Sequence, residues 1–188
     1  MKSNKLVVGL AGMPGSGKSL VVETAVSKGY TVVNMGNVIR EETRNRGLEL
    51  NPQTIGQVML ELRRTGGESF VAQKCIPRIE GTRGEKIIVD GIRSLSEVET
   101  FKKHFQKFSL LAVHSSPEAR FKRLYLRRRS DDPKEKEIFE ERDKRELGVG
   151  LGNAIAMAEF VVTNEDGKQA IQHKVRETLR RIEKRWME

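Results

Sequence analysis

Eight consecutive residues near the N-terminus, Gly12-Met13-Pro14-Gly15-Ser16-Gly17-Lys18-Ser19, have the types and the order needed to hold a polyphosphate. The glycines let backbone N–H groups turn inward around a β-phosphate. Lys18 supplies a mobile point charge to the β- and γ-phosphates, and the Ser19 hydroxyl suits Mg2+. The spacing is Gly-x4-Gly-Lys-Ser, the Walker A pattern, which has mechanical meaning only between a strand and a helix. Both flanks are present. Lys5 to Ala11 is apolar and β-branched, as a strand covered on both faces should be. Ser19 to Lys28 reads as a helix that Gly29 ends, and its N-terminus adds positive potential. The competing reading, a glycine-rich turn that binds nothing, leaves this context without a purpose.

Asp90 ends another apolar run, Lys86 to Asp90. A carboxylate at a neighbouring strand end can hold Mg2+ directly or through water; the plainer reading is a turn aspartate before Gly91. No Asn-Lys-x-Asp sequence of the kind used in guanine pockets is present. Arg120 to Arg129 holds six basic residues and no acid. Such a cluster repels itself unless an anion or neighbouring acids relieve it. The alternative for any one of these arginines is a solvated face paired with the acids of Glu135 to Glu146. His104, His114 and His173 are isolated, without ligand spacing. Cys75, the single cysteine, reads as a small core residue; it excludes an intrachain disulfide and a multi-cysteine zinc site, and it suits a reducing cytoplasm.

The elements that must position these residues alternate. A second strand covers Thr31 to Asn34, followed by three helical stretches, about Gly36 to Arg46, Thr54 to Thr65 and Ser69 to Glu80. After the third strand, Ser94-Leu95-Ser96-Glu97 has capping-box spacing and starts a helix. Phe108 to Val113 is a fourth strand. Ser116-Pro117 begins a helix to about Arg128. A polar break at Ser130 to Pro133 leads to a charged helix from Lys134 to Leu147. Gly148, Gly150 and Gly152 read as a pliant hinge. Phe160 to Thr163 is a fifth strand, and Ile171, Val175, Leu179, Ile182 and Trp186 mark the buried face of a last helix. This alternation predicts an α/β fold with a parallel sheet and right-handed crossovers. The two helical excursions should lie over the carboxyl ends of the strands, where open α/β sheets bind ligands.

The 188 residues suit one domain with a real core. Charged residues make up 32% of the chain and the formal net charge is +9, which fits a polyanionic small ligand. Charge alone is poor ground for a nucleic-acid partner. The short apolar run near the N-terminus is interrupted at once by the glycine-rich loop, so it predicts a buried strand and neither a membrane span nor a signal peptide.

Several motifs resemble nucleoside monophosphate kinases. Ile87-Ile88-Val89-Asp90-Gly91-Ile92-Arg93 resembles their Asp-Gly-x-x-Arg signature with one residue fewer. Gly36-Asn37-Val38-Ile39-Arg40 resembles their Gly-Asp-x-x-Arg motif, and Arg127-Arg128-Arg129-Ser130-Asp131-Asp132, with Arg142 and Arg145 beyond, resembles their arginine-bearing lid. Phe160-Val161-Val162-Thr163-Asn164 resembles the last strand and adenine-side loop of dephospho-CoA kinases. The match spans nearly the whole chain and is nearest to an archaeal family of adenylate-kinase-related, dephospho-CoA-kinase-like proteins. The resemblance implies a three-layer P-loop NTPase fold with a five-stranded parallel sheet, a helical acceptor-binding insertion at about 35–81 and a short helical lid at about 127–146. It implies ATP and Mg2+ as cofactors, with Ser19 and Asp90 on the metal side. Gly36, Asn37, Arg40 and Arg93 would bind the acceptor. Lys18, Arg93, Arg127, Arg129, Arg142 and Arg145 would neutralise the transferring phosphoryl group. The sequence departs from the pattern at Asn37, where the kinases have Asp, so a charge near the metal is missing unless Asn37 merely caps its helix. No Gln follows Arg93 where adenylate kinases read an acceptor adenine.

The reading that results is a cytoplasmic, Mg2+-dependent phosphotransferase moving the γ-phosphoryl of ATP to a nucleotide or nucleotide-like small molecule. Two other readings stand beside it: a non-kinase ATPase acting on an RNA or ribosomal partner, which the basic surface favours, and a nucleotide-sensing module. The paired Arg40 and Arg93 favour the kinase.

Overall fold

The computed structural model describes residues 3–128 and 132–187. Its centre is β1 (Ser3–Ala11), buried without interruption from Leu6 to Ala11. Along this strand Leu6, Val8 and Leu10 face one side of the sheet, and Val7 and Ala11 face the other. The period-two alternation of a strand therefore divides one apolar run between two cores. β1 lies between β3 (Lys86–Ile92) and β4 (Phe105–His114); β2 (Thr31–Asn34) and β5 (Phe160–Thr163) form the edges, in the order β2-β3-β1-β4-β5. All four pairings are parallel.

Helices α1 (Lys18–Ser27) and α9 (Lys168–Met187) cover one face. Val21 and Ala25 of α1 and Ile171, Val175, Leu179 and Ile182 of α9 close over Leu6, Val8 and Leu10. At the far end of α9, Trp186 Nε1 donates to Ser109 Oγ of β4 at 2.8 Å. The other face carries α2 (Met35–Asn45), α3 (Pro52–Gly66), α4 (Phe70–Glu80), α5 (Leu95–His104) and α8 (Leu151–Ala156). Phe101 stacks on Phe105 and Phe108 at 6.3 and 5.9 Å between centroids. Gly9 leaves room for the Phe108 ring, since a Cβ there would lie 2.8 Å from it. Two further helices, α6 (Pro117–Arg127) and α7 (Lys136–Gly148), lie between β4 and α8 in the chain.

The three-layer α/β architecture with five parallel strands is the expected one, and two local readings are corrected. β3 does not stop at Asp90 but continues to Ile92, with the register slipping so that Leu10 faces Asp90 and Ala11 faces Ile92. Gly91, at φ 110°, absorbs the extra residue as a bulge. The run Gly148 to Gly152 is not one pliant hinge. Gly148 closes α7, Gly150 turns the chain at φ 104°, and Gly152 lies inside α8, which buries Leu151 and Ala154. Two apolar positions three apart overrode the low helix propensity of the glycine. Cys75 is a buried core residue, its thiol pushed up to about 12 by burial.

Candidate active site

The loop from Gly12 to Ser19 joins the end of β1 to the start of α1. Side chains from other elements hold its carbonyl oxygens. Pro14 O accepts from Arg120 Nη1 at 3.2 Å, and Gly15 O from Arg123 Nη1 at 3.3 Å. Ser16 O accepts from Asn164 Nδ2 at 3.0 Å and from Ser115 Oγ at 3.2 Å. Lys18 Nζ itself bonds Gly12 O at 2.5 Å and Met13 O at 3.2 Å. Within the loop Ser16 N–H also donates to Met13 O at 3.1 Å, so the turn is held by its own backbone as well as by side chains from other elements. Gly15 and Gly17 sit at φ 80° and 103°. A Cβ at Gly17 would fall 2.2 Å from Asn164 Nδ2, and one at Gly15 2.7 Å from Arg120 O, so the braces approach closely only because these residues are glycine.

Lys18 is pulled down to about 8, chiefly by burial, while Asp90 and Glu146 oppose the shift and Arg93 and Arg142 add to it. The four expected residues Lys18, Asp90, Arg93 and Arg142 thus share one electrostatic neighbourhood. Asp90 is raised above the usual carboxylate range by burial, against the pull of Lys18, a hydrogen bond from Asn34, Arg93 and Arg40. Its Oδ2 accepts from Asn34 Nδ2 at 2.9 Å. Its Oδ1 is buried and has no partner. A buried, unpaired carboxylate oxygen is costly and calls for a donor or a cation. Ser19 is exposed.

Opposite the loop, Arg40 extends from α2, and its Nη1 donates to Asn37 Oδ1 at 2.9 Å. A Cβ at Gly36 would lie 3.0 Å from Asn34 Oδ1 and 3.2 Å from Arg40 Nη1, so the small residue gives both polar groups room. Asn37 is not the cap of α2. Asn34 holds the cap position, and Asn34 makes the contact with Asp90. Arg93 follows the bulge at Gly91. Its backbone N–H donates to Glu97 Oε2 at 2.7 Å, and the other oxygen of that fully buried carboxylate accepts from Arg63 Nη2, also at 2.7 Å. The Ser94–Glu97 cap is therefore half of a capping box: Ser94 Oγ accepts from Glu97 N at 3.3 Å, while Glu97 reaches past Ser94 to Arg93.

The arginines after β4 divide by role. Arg120 and Arg123, which sequence reasoning did not single out, brace the loop. Arg120 is buried, forms a bidentate pair with Asp143 of α7 at 2.9 and 2.5 Å, and stacks over Phe139. Arg127 pairs with Asp132 through two bonds of 2.9 and 2.5 Å, and Arg142 approaches the same carboxylate at 3.9 Å. Arg127 thus joins Arg142 through Asp132. Arg145 is exposed on α7. Arg129 lies outside the described residues. Asn34 ends β2 in register with Asp90, a relation that only the strand pairing reveals; Glu97 was marked by its capping-box spacing, and nothing local marks Ser115.

With this geometry established, comparison with known proteins places the chain. Residues 11–140 match the AAA domain family. A UPF0200 protein of Methanocaldococcus jannaschii is 45% identical over 185 residues, covering 95% of this chain and 93% of the relative. The chain belongs to the UPF0200 family. A second UPF0200 member, from Thermococcus onnurineus, is 42% identical over 94% of this chain and 98% of its own. Among solved structures, TT1252 from Thermus thermophilus superimposes with a TM-score of 0.70 at 16% identity, covering 94% of this chain and 97% of the other. Shikimate kinase from Bacteroides thetaiotaomicron gives 0.63 at 14% identity, over 95% and 98%. At such identities the likeness is one of fold: this UPF0200 chain has the three-layer P-loop architecture of small kinases. Among the described residues, no helix is long and apolar enough to cross a membrane.

Proposed function

We propose that the protein is a Mg2+-dependent phosphotransferase that moves the γ-phosphoryl of ATP to a nucleotide-like small molecule, with residues 35–81 binding the acceptor and 127–146 acting as a lid. The observation that carries this reading is the pairing of two half-sites across Asp90. On one side stand the braced loop and Lys18. On the other stand Arg40 and Arg93, guanidinium groups that also act on Asp90. A hydrolase needs only the first half; two guanidinium groups opposite it suit a second anion.

Mg2+ fits the residues present, since Asp90 Oδ1 is buried without a hydrogen-bond partner. Ser19 and Asp90 would hold the ion, and among the described residues no group of three or more His, Cys, Asp or Glu side chains could hold one without help from phosphates. Mg2+ held by these residues would supply charge neutralisation to the phosphates. The chain's own residues do the rest. The glycine-rich loop from Gly12 to Ser19 and the N-terminus of α1 bind the donor phosphates. Lys18 leaves its own loop carbonyls for the phosphate oxygens. Asn34 holds Asp90 in place. Arg40 and Arg93 orient the acceptor, and Arg142 and Arg127 add charge as α7 excludes water, so catalysis rests on positioning and charge neutralisation. The motif resemblance to nucleoside monophosphate and dephospho-CoA kinases supports a nucleotide-like acceptor.

A screen of nucleoside monophosphates, dephospho-CoA and polyols with γ-labelled ATP tests the proposal. Label appearing on one acceptor class supports it. Phosphate release alone, stimulated by RNA or ribosomes, would replace it with the ATPase reading.

A further inference from the structure

Arg93 is held firmly at its backbone and loosely at its head. Glu97 fixes its N–H, and Arg63 fixes Glu97. Among the described residues the guanidinium has two contacts: the Met59 thioether at 3.3 Å, a weak acceptor, and Glu146 Oε2 of α7 at a long 3.5 Å. A planar group with five N–H donors is under-used there. Glu146 is 14% exposed at its side chain and lies within Coulombic reach of Lys18, so it sits inside the site. Asp143, one helical turn earlier on the same face of α7, bonds Arg120 at the phosphate loop. One face of α7 therefore sends one carboxylate to the donor side and one to the acceptor side.

We propose that Glu146 is a built-in competitor for the acceptor's anion at Arg93, so that the site admits a phosphate monoester and turns away neutral polyols and simple carboxylates. The inference rests on the reading of Arg93 as an acceptor residue. Glu146 is tethered, so it faces Arg93 at an effective concentration on the order of millimolar or above. A free monocarboxylate offers the same chemistry and gains nothing by replacing it. A neutral hydroxyl cannot satisfy the charge. A phosphate dianion brings twice the charge and a bidentate pair of oxygens, and it displaces Glu146. The surrounding cations Lys18 and Arg40 reinforce that difference, since both belong to the same electrostatic neighbourhood as Arg93.

The test is calorimetric titration of the full chain with inorganic phosphate and, separately, acetate, with the phosphate loop filled by a nonhydrolysable ATP analogue and Mg2+. Glu146→Gln should tighten phosphate by about five- to ten-fold and make acetate binding measurable, since an exchangeable carboxylate has been removed. Glu146→Asp, with its shorter reach, should fall between the two proteins. Adding Arg93→Ala to Glu146→Gln should abolish the gain. The difference between that double variant and Glu146→Gln reports on Arg93 even if no nucleotide binds, so failure of the phosphotransferase reading is distinguishable from failure of this inference. Unchanged or weaker phosphate binding in folded Glu146→Gln would overturn it, the weaker case showing that Glu146 holds Arg93 in its binding position.

Discussion

Arg120 grips Asp143 of α7 with two hydrogen bonds while a further bond from the same guanidinium holds Pro14 O in the phosphate loop. One buried side chain thus fastens the proposed lid helix to the loop it would cover. Asp143→Asn keeps the shape but removes the charge opposite a buried guanidinium. The expected loss is on the order of 2–3 kcal/mol, since an uncompensated buried charge is left behind. Hydrogen exchange should show reduced protection from 136 to 148 without nucleotide, and the wild-type segment should gain protection when a nonhydrolysable ATP analogue binds. Equal protection in variant and wild type would detach α7 from the loop.

Lys18→Ala should lower Mg-ATP turnover by about 10²-fold or more, as expected when a charge aimed at the transferring group is lost. The depressed pKa of about 8 adds a proton-linked signature. Lys18 is depressed relative to an unfolded lysine, so the folded protein releases its proton first as pH rises through 8. Bound phosphates favour the charged amine and draw the proton back. Binding of the analogue above pH 8 should take up a large fraction of a proton, and the uptake should fall away toward pH 7. Calorimetry in buffers of different ionisation enthalpy measures this, and the uptake should vanish in Lys18→Ala.

Asn34 and Asn37 make opposite predictions under the same substitution. Asn34→Asp puts a second carboxylate against Asp90 Oδ2, where the amide now donates. Repulsion in a partly dry site raises the demand for a cation, so the Mg2+ dependence of turnover should shift. Asn37→Asp acts on Arg40 and should leave the Mg2+ curve in place while altering acceptor affinity. Superimposable curves for both variants would remove Asn34 from the metal side.

Asn164→Ala removes the amide that bonds Ser16 O and abuts Gly17. The cost should be about 1 kcal/mol, that of one lost hydrogen bond, since Ser16 O keeps the bond from Ser115 Oγ. Analogue affinity should fall several-fold although Asn164 need touch no phosphate. An unchanged dissociation constant would show that the other braces suffice.

The strands, the phosphate loop and the helix starts at Ser94 and Ser116 were legible in the sequence because each is a local signal: an apolar run, a fixed spacing, a cap. Asp90 was legible as a carboxylate late in the third strand, although the strand runs on past it to Ile92. What escaped was non-local. The bond from Asn34 depends on strand register, and the bonds from Arg123 and Asn164 to the loop span 108 and 148 residues. The basic run was read as lid charge. In the structure Arg120 and Arg123 brace the loop, because α6 passes close enough for Arg120 O to meet a Cβ at Gly15. The glycines of 148–152 misled in the other direction, since burial of Leu151 and Ala154 is a tertiary fact.

The central place of β1 has a consequence for biosynthesis. The strand leaves the ribosome before any of its partners, and its flanks close only when β3 and β4 have been made. The loop it leads into waits longer, until Asn164 emerges to take its place against Gly17 and Ser16. An apolar segment made first and paired late is exposed to misassociation throughout synthesis. Nascent chains halted before residue 164 should therefore carry the phosphate-binding sequence without a formed phosphate cradle, and competence for nucleotide should arrive only after Asn164 has emerged.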